Sequence, residues 1–290
     1  MAHGSPNKVL LITVNYKGAD QTIRLLESLR YLGQSSEMDV IIVDNASGDD
    51  SVRHLRAAAA GLENVRLLES TTNRGYFGGA KLGMARYLEE AHALPEWLIV
   101  CNNDIFIDDS RFLKNLLNRN VSAHGVIAPR VRSCQTRLDL NPFMRKRPSR
   151  WTLAMDRFWS STYRTAVLRN LISRKLRSLR SRRSRRDRAL GSANEAGPQP
   201  IYAPHGACII FSRVYFESGG YIDDGFFLYG EEISVAEICR RLGLSVSYDP
   251  SLSLWHQEHA AAGITLSRFA YNCQKAADQY VRRTYLADIA

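Results

Sequence analysis

The sequence has no apolar stretch approaching the ~18 residues that a membrane-crossing helix needs. Its first residues, MAHGSPNK, lack the apolar core of a secretory signal. Neither a polytopic membrane protein nor an exported one is expected. Cysteine is sparse: Cys101, Cys134, Cys208, Cys239 and Cys273 are odd in number and form no C-x-x-C pair. That excludes a zinc ribbon or a disulfide framework and favours a reducing compartment. These cysteines read as small buried hydrophobes. The phosphate loop G-x-x-x-x-G-K-[ST], the dinucleotide G-x-G-x-x-G and the zinc-protease H-E-x-x-H are all missing. There is no nucleophile elbow or Cys/His pair either, so a hydrolase is not indicated.

What is present is a chain of 290 residues, 45% hydrophobic and 23% charged, the balance of a folded protein. Its length suits one large domain carrying an elaboration. The net charge of +10 is localised. Residues 145–188 hold 16 Lys/Arg and two acids, Asp156 and Asp187, so this segment carries +14 and the remainder −4. Trp151, Leu153, Met155, Phe158, Trp159, Tyr163, Val167, Leu168, Leu171, Ile172, Leu176 and Leu179 recur through it at helical spacing. A basic helix with such a face fits an anionic membrane surface; its apolar side could equally pack on the body. Arg180 to Arg188 reads as a flexible basic tract. No nucleic-acid-binding motif accompanies the charge, so a nucleic-acid partner is not expected.

Elsewhere strand and helix alternate. Val9–Val14 and Val40–Val43 are short, nearly continuous apolar runs, as in strands buried on both faces, and Val65–Leu68 and Trp97–Cys101 read as a third and a fourth strand. Between them Asp20–Leu32, with Asp20 as N-cap, Ser51–Ala60 and Ala80–Ala91 read as helices, and Gly75, Gly78 and Gly79 as a loop. This alternation predicts an α/β fold built on a parallel sheet, whose ligand sits at the carboxyl ends of the strands. After a short strand at Val126–Pro129 and the basic insertion, Ala207–Phe211 and Leu244–Tyr248 read as strands. Glu231 to Leu242 reads as a helix stopped by Gly243, and Ser267–Leu286 as a last helix. The last helix, with Tyr271, Ala276, Tyr280, Val281 and Tyr285, is open to packing on the body, on a second copy in a homo-oligomer, or near an acceptor.

Three acidic clusters carry the chemistry. Asp44, after the second strand, can accept from a nucleobase or sugar, or serve as a turn cap. Asn102-Asn103-Asp104, after the fourth, can present one carboxylate to Mg²⁺ or Mn²⁺ on a diphosphate, or form a turn. Glu231 and Glu232 follow an aromatic run and open a helix; they answer the helix dipole, or one is a general base. Asn73-Arg74-Gly75 offers a pliable approach to a ligand, with Arg74 as a phosphate contact. His205, His256 and His259, with Glu258 between the last two, are undecided between ligation and structure.

Taken in order, VLLITVNYKGADQTIRLLESL, VIIVDNASGDDS, NRGYFGGAKLGM, WLIVCNNDIFID, GACIIFSRVYFESGGYIDDGFFLYGEEISVAEICRRLG and YDPSLSLWH resemble the family 2 glycosyltransferases of GT-A fold, particularly the bacterial rhamnosyltransferase-like branch. The resemblance spans about residues 8–134 and 200–262. It implies a Rossmann-like, mostly parallel sheet flanked by helices, divided as a nucleotide-sugar half (1–134), a basic amphipathic insertion (135–199), an acceptor half (200–262) and a C-terminal helix (263–290). It further implies inverting transfer from a nucleotide-sugar to a hydroxyl. Thr13, Val14, Asn15 and Asp44 would hold the nucleoside, and Asn73, Arg74, Gly79, Asn103 and Asp104 the rest of the donor. Asp104 and His256 would face Mg²⁺ or Mn²⁺, Glu232 would be the base, and Glu231 its companion acid.

Four positions depart from the family pattern. The metal motif is Asn-Asn-Asp, with one carboxylate. Ala80-Lys81 replaces Asn-Asn. Glu-Glu replaces Glu-Asp, and Ser234 stands where a supporting acid is common. The expected role is building a surface polysaccharide such as O-antigen at the cytoplasmic face of the membrane, on a glycan or lipid-linked acceptor. dTDP-rhamnose is the favoured donor and a UDP-sugar the runner-up. A nucleotidyltransferase, or a binding protein using only the basic segment, are the lesser alternatives.

Overall fold

A computed structural model describes residues 8–32, 35–173, 175–176, 197–258 and 266–289. The tract from Arg180 to Arg188, and His259, lie outside the described residues. The first half follows the apolar runs. Strands β1 (Val9–Asn15), β2 (Met38–Asp44), β3 (Val65–Glu69) and β4 (Trp97–Asn102) pair in parallel, in the order β3-β2-β1-β4. Their crossovers are helices α1 (Ala19–Arg30), α2 (Ser51–Ala59) and α3 (Gly75–Ala91). Register brings Asn15 beside Asp44, and Val14 beside Asn102, so the chemistry-bearing strand ends share one edge.

Beyond β4 the sheet becomes mixed. It continues through β8 (Cys208–Ser212), β6 (Val126–Ser133), β9 (Val246–His256) and β5 (Ile105–Phe106), with β7 (Gln199–Ile201) also on β9. Strand β8 runs antiparallel to both β4 and β6. The first four strands thus form a parallel block, and antiparallel β8 joins it to the β6–β9 pair, which is itself parallel.

Alternate residues of β1 feed two cores: Leu10 and Ile12 face α3 and α8 (Glu231–Leu242), while Val9 and Leu11 face α1 and α4 (Phe112–Leu117). Each such fully buried side chain contributes about 1.5–3 kcal/mol. Continuous apolarity in these strands is the direct consequence of having no solvent face.

Three boundaries differ from expectation, each for a local reason. Gly75, Gly78 and Gly79 lie inside α3 rather than in a loop. At Gly75, φ is +74° and a Cβ would meet the Phe227 carbonyl oxygen at 2.1 Å; at Gly79 a Cβ would meet Val14 at 2.8 Å. The glycines let helix α3 sit against the strand and the later loop; they do not break it. Helix α1 begins after Gly18, with Asp20 in its first turn and no side-chain cap. Strand β9 absorbs Pro250 and runs to His256, because the register shift in β6 after Pro129 lets the pairing resume at Ser253.

The insertion forms α5 (Arg150–Ser160), capped by Ser149, and a second helix α6 over 163–173, tied to α5 by Arg169–Asp156 at 2.6 Å. Only Leu153 of α5 is buried. Helix α9 (Arg268–Thr284) packs on the body: Tyr271 and Val281 are buried, and the Tyr280 and Tyr285 hydroxyls donate to Asp223 at 3.0 and 2.6 Å. Helix α7 (Arg213–Glu217) is capped by Ser212, which accepts from the Tyr215 N–H. All five cysteines are free thiols.

Candidate active site

At the β1–β2 edge Asp44 is 2% exposed. Its Oδ1 accepts from Asn15 Nδ2 at 2.8 Å and Ser47 Oγ at 2.5 Å, and its Oδ2 from the Ser47 N–H at 3.1 Å. The Thr22 hydroxyl donates to Asn15 Oδ1 at 3.0 Å. Asn103 Nδ2 donates to Thr22 Oγ1 and to the Gly18 carbonyl, both at 3.1 Å. Asp44 therefore does the work of a turn cap, and Asn103 fastens the end of β4 to the start of α1. Thr13 is fully buried beneath them, and Val14 supports Gly79.

The next wall is built by Asn45, a residue whose role the sequence pattern did not disclose. Its Nδ2 donates to Asn73 Oδ1 and to the Gly75 carbonyl, both at 2.9 Å, and its Oδ1 accepts from the Arg74 N–H at 3.0 Å. One amide thus holds the 73–75 turn against the end of β2 and leaves the Arg74 side chain exposed. Lys81, in place of the family asparagine, bridges to Asp224 at 2.7 Å and joins α3 to the loop ahead of α8.

The third wall carries the acids. Asp104 occupies the gap between β4 and β5, and the antiparallel β5–β9 register sets Ile105 opposite His256. As a result His256 Nε2 lies 3.0 Å from Asp104 Oδ1, and its Nδ1 is buried with no hydrogen-bond partner. The His205 ring stands 6.0 Å from that of His256. Its Nδ1 accepts from the Ala207 N–H at 3.1 Å, which leaves the proton on Nε2. Burial, reinforced by His256, pulls the His205 pKa down to about 4, so its ring is neutral. Asn141 fixes this turn by accepting from the His205 N–H at 2.8 Å.

The Gly206 N–H donates to Glu232 Oε1 at 3.2 Å, and the Tyr76 hydroxyl donates to the Gly206 carbonyl at 3.1 Å. Glu231 and Glu232 open α8 after Gly230. Burial lifts both carboxyls above the usual range, and the neighbouring Glu232 adds to the effect on Glu231, which reaches about 8. Backbone N–H groups of the helix start oppose the rise in both. Both acids therefore open a helix and hold a proton more tightly than an exposed carboxyl would. Ser234, where a supporting acid is common, is fully buried and donates to the Glu231 carbonyl at 3.1 Å.

One run of contacts thus links Asp104, His256, His205, Gly206 and Glu232, residues widely separated in the chain. Glu258 lies apart and accepts from the Ser133 hydroxyl. Among the described residues no three His, Cys, Asp or Glu side chains converge as a complete metal cage. Asp104 and His256 stand side by side as the two donors that could hold a divalent cation.

The family model for glycosyl transferase family 2 matches residues 9–216, which include the whole β1–β4 platform and Asp104. A low-salt glycan biosynthesis hexosyltransferase of Haloferax volcanii is 23% identical over 236 residues, covering 81% of this chain; the chain spans 62% of that protein's length. An N-acetylglucosaminyl-diphospho-decaprenol L-rhamnosyltransferase of Mycobacterium tuberculosis is 25% identical over 269 residues, covering 87% of this chain and 77% of its own. A mannosyltransferase from Pyrobaculum calidifontis, solved with GDP-Man and Mn²⁺, shares the fold at a TM-score of 0.50 and 16% identity, over 96% of this chain and 61% of that one. The ordered motifs, the mixed sheet and the matched span agree: this chain belongs to glycosyl transferase family 2.

Proposed function

We propose that the chain transfers a sugar from a nucleotide-sugar to a hydroxyl of a glycan or lipid-linked glycan, with inversion at the anomeric carbon. The continuous floor from Asp104 to Glu232 carries this reading. It offers a site for a departing diphosphate at one end and a proton acceptor at the other. Thr13, Val14, Asn15 and Asp44 form the nucleoside end, Asp44 acting through the Asn15 and Ser47 geometry it fixes. Asn73, Arg74 and Gly79 line the donor, with the exposed Arg74 guanidinium directed to phosphate. Asn103 holds the end of β4 so that Asp104 meets the diphosphate.

Asp104 and His256 would hold Mg²⁺ or Mn²⁺, which supplies positive charge against the leaving nucleoside diphosphate. Glu232 takes the acceptor hydroxyl's proton onto a carboxylate oxygen. The Gly206 N–H keeps the carboxyl aimed, and burial keeps its affinity for a proton high enough to serve. Glu231 is buried alongside and is itself pushed up by burial and by the neighbouring Glu232 carboxylate. dTDP-rhamnose is the favoured donor, supported by the branch resemblance and the name of the Mycobacterium relative.

Thermal shift tests the donor site. A ligand binding only the folded protein at 100 times its Kd adds about 2.7 kcal/mol. The expected result is a metal-dependent rise with dTDP or UDP that exceeds those with GDP or ADP. Asp104→Ala should abolish the metal dependence and Asp44→Ala the nucleotide response. No response to any nucleotide would remove the transferase reading.

We place the insertion against the cytoplasmic face of an anionic membrane. No helix among the described residues is long and apolar enough to cross one. Trp151 is 83% exposed, and Met155, Phe158, Leu168, Leu171 and Ile172 are exposed as well, on helices rich in arginine. Trp151→Asp with Phe158→Asp should lower binding to vesicles containing anionic lipid by roughly tenfold or more. Unchanged flotation would dismiss this placement.

A further inference from the structure

A groove of about 920 Å³ separates α5 from α9 and the residues after it. Five cations line it: Arg150 and Arg157 from α5, and Lys275, Arg282 and Arg283 from α9. Among the described residues the only acid in the lining is Asp278, and both its oxygens accept from Arg282 Nε at 2.8 Å. Arg282 still has Nη2 buried without a hydrogen-bond partner. Among the described residues, no carboxylate pairs with Arg150, Arg157 or Arg283. The groove therefore gathers an uncompensated charge of +4.

The rest of its lining is apolar along the walls, Leu153 and Ala154 on one and Ala287 and Ile289 on the other, with Ser160, Ser161 and Gln279 adding neutral polar groups. Trp151, Met155 and Phe158 project roughly a third of a turn around α5 from the groove. A surface that is cationic within, apolar at the walls and flanked by exposed Trp, Met and Phe matches a ligand with a phosphate at one end and hydrocarbon at the other. The aromatic flank lies along a helix backbone and provides no row of stacking platforms, so a nucleic acid fits this shape less well.

We propose that the α5–α9 groove binds the headgroup of an anionic membrane phospholipid, its phosphate among Arg157, Arg282 and Arg283 and its first methylenes over Leu153 and Ile289. This rests on placing the insertion at a membrane, and adds a defined lipid site to that general attraction. With α5 lying in the interface, the groove opens at the level of the phosphates. A lipid seated there would bridge α5 to α9, and so connect the insertion to the helix that packs on the Asp223 loop.

The test titrates the full chain with dihexanoyl-phosphatidylglycerol below its micelle concentration, following tryptophan fluorescence. Parallel arms use dihexanoyl-phosphatidylcholine, inorganic phosphate and a short DNA duplex. Saturable binding of the anionic lipid is expected, weakened about tenfold or more in Arg157→Gln/Arg283→Gln. Lys146→Gln/Arg164→Gln removes the same charge outside the groove and should leave it within about threefold. Equal loss in the two double variants would mean diffuse charge attraction and overturn the groove site. So would equal binding of phosphate or the neutral lipid, or tighter binding of DNA. Melting curves confirm that each variant is folded. Vesicle flotation of the unmodified chain reports the membrane placement separately: flotation without short-chain lipid binding sinks only the groove site.

Discussion

Glu232→Gln is expected to lower kcat by about 10²- to 10⁴-fold while leaving nucleotide binding and the fold intact. Glutamine keeps the oxygen that accepts from Gly206 N–H, so the loop geometry survives. It loses the ability to take a proton from the acceptor. The substitution also removes a neighbour that pushes the Glu231 carboxyl upward. In the folded wild-type chain that carboxyl titrates at about 8 instead of the ordinary 4.5. Its contribution to stability is thus fully present below pH 4.5 and is lost as the pH climbs through about 8. Catalytic competence runs the other way, because Glu232 must shed its proton to act. The wild-type enzyme should therefore gain activity as rising pH strips the proton from Glu232, whose carboxyl burial holds above the ordinary carboxylate range, while the buried pair loses stability. Glu232→Gln should be slow at every pH and show a smaller loss of stability between neutral and alkaline pH. A kcat within threefold of wild type would rule out Glu232 as the base, and a parallel collapse of melting temperature would assign it a structural role instead.

The second large effect lies behind the site. The Glu237 side chain is fully buried. It accepts from Arg147 Nε at 2.6 Å and Nη2 at 3.0 Å, from the Tyr202 hydroxyl at 2.7 Å and from Arg240 Nε at 2.9 Å. Burial alone pushes its carboxyl up, but the bonds from Arg147, Tyr202 and Arg240 outweigh it and hold the group below the ordinary 4.5. Breaking such a buried pair from one side costs about 3–5 kcal/mol. Asp288 continues to hold Arg147 at 2.7 Å, which places Glu237→Gln at the lower end of that range. The melting temperature should fall by roughly 6–12 °C. Since the folded-state carboxyl titrates low, its stabilisation is present above pH 4.5 and fades as the pH drops through the folded value. The variant should therefore show a flatter acid limb. Urea unfolding with an unchanged slope and an unshifted midpoint would count against the cluster.

The strands were readable because burial on both faces leaves an unbroken apolar run, and β1, β2 and β4 came out within a residue or two at each end. The start of α3 was not, although Ala80–Ala91 reads as helix, because a glycine needed for close approach looks identical in sequence to one needed for a turn. The length of β9 was hidden by Pro250, whose place in a strand depends on where its partner's register shifts. The acids Asp44, Asp104 and Glu232 could be singled out from strand ends and motif order. Their surroundings could not: Asn45 holding the 73–75 turn and Arg147 reaching Glu237 are contacts across 28 and 90 positions. Nothing local announces such partners. His205 stayed undecided in the sequence because only the Ala207 N–H on its Nδ1 fixes where its proton sits.

The C-terminal helix reaches the loop that leads into Glu231 and Glu232. Asp223 is 4% exposed and accepts from two phenols of that helix region, and a Cβ at Gly225 would lie 2.2 Å from the Tyr280 ring. Modularity stops at this clasp. Exchanging the segment after residue 266 with that of a relative would replace the phenols that fix the loop ahead of Glu231 and Glu232. If Glu232 is the base proposed above, the hybrid would hold it on a differently anchored loop, so acceptor reactivity would diverge between relatives whose acids are the same.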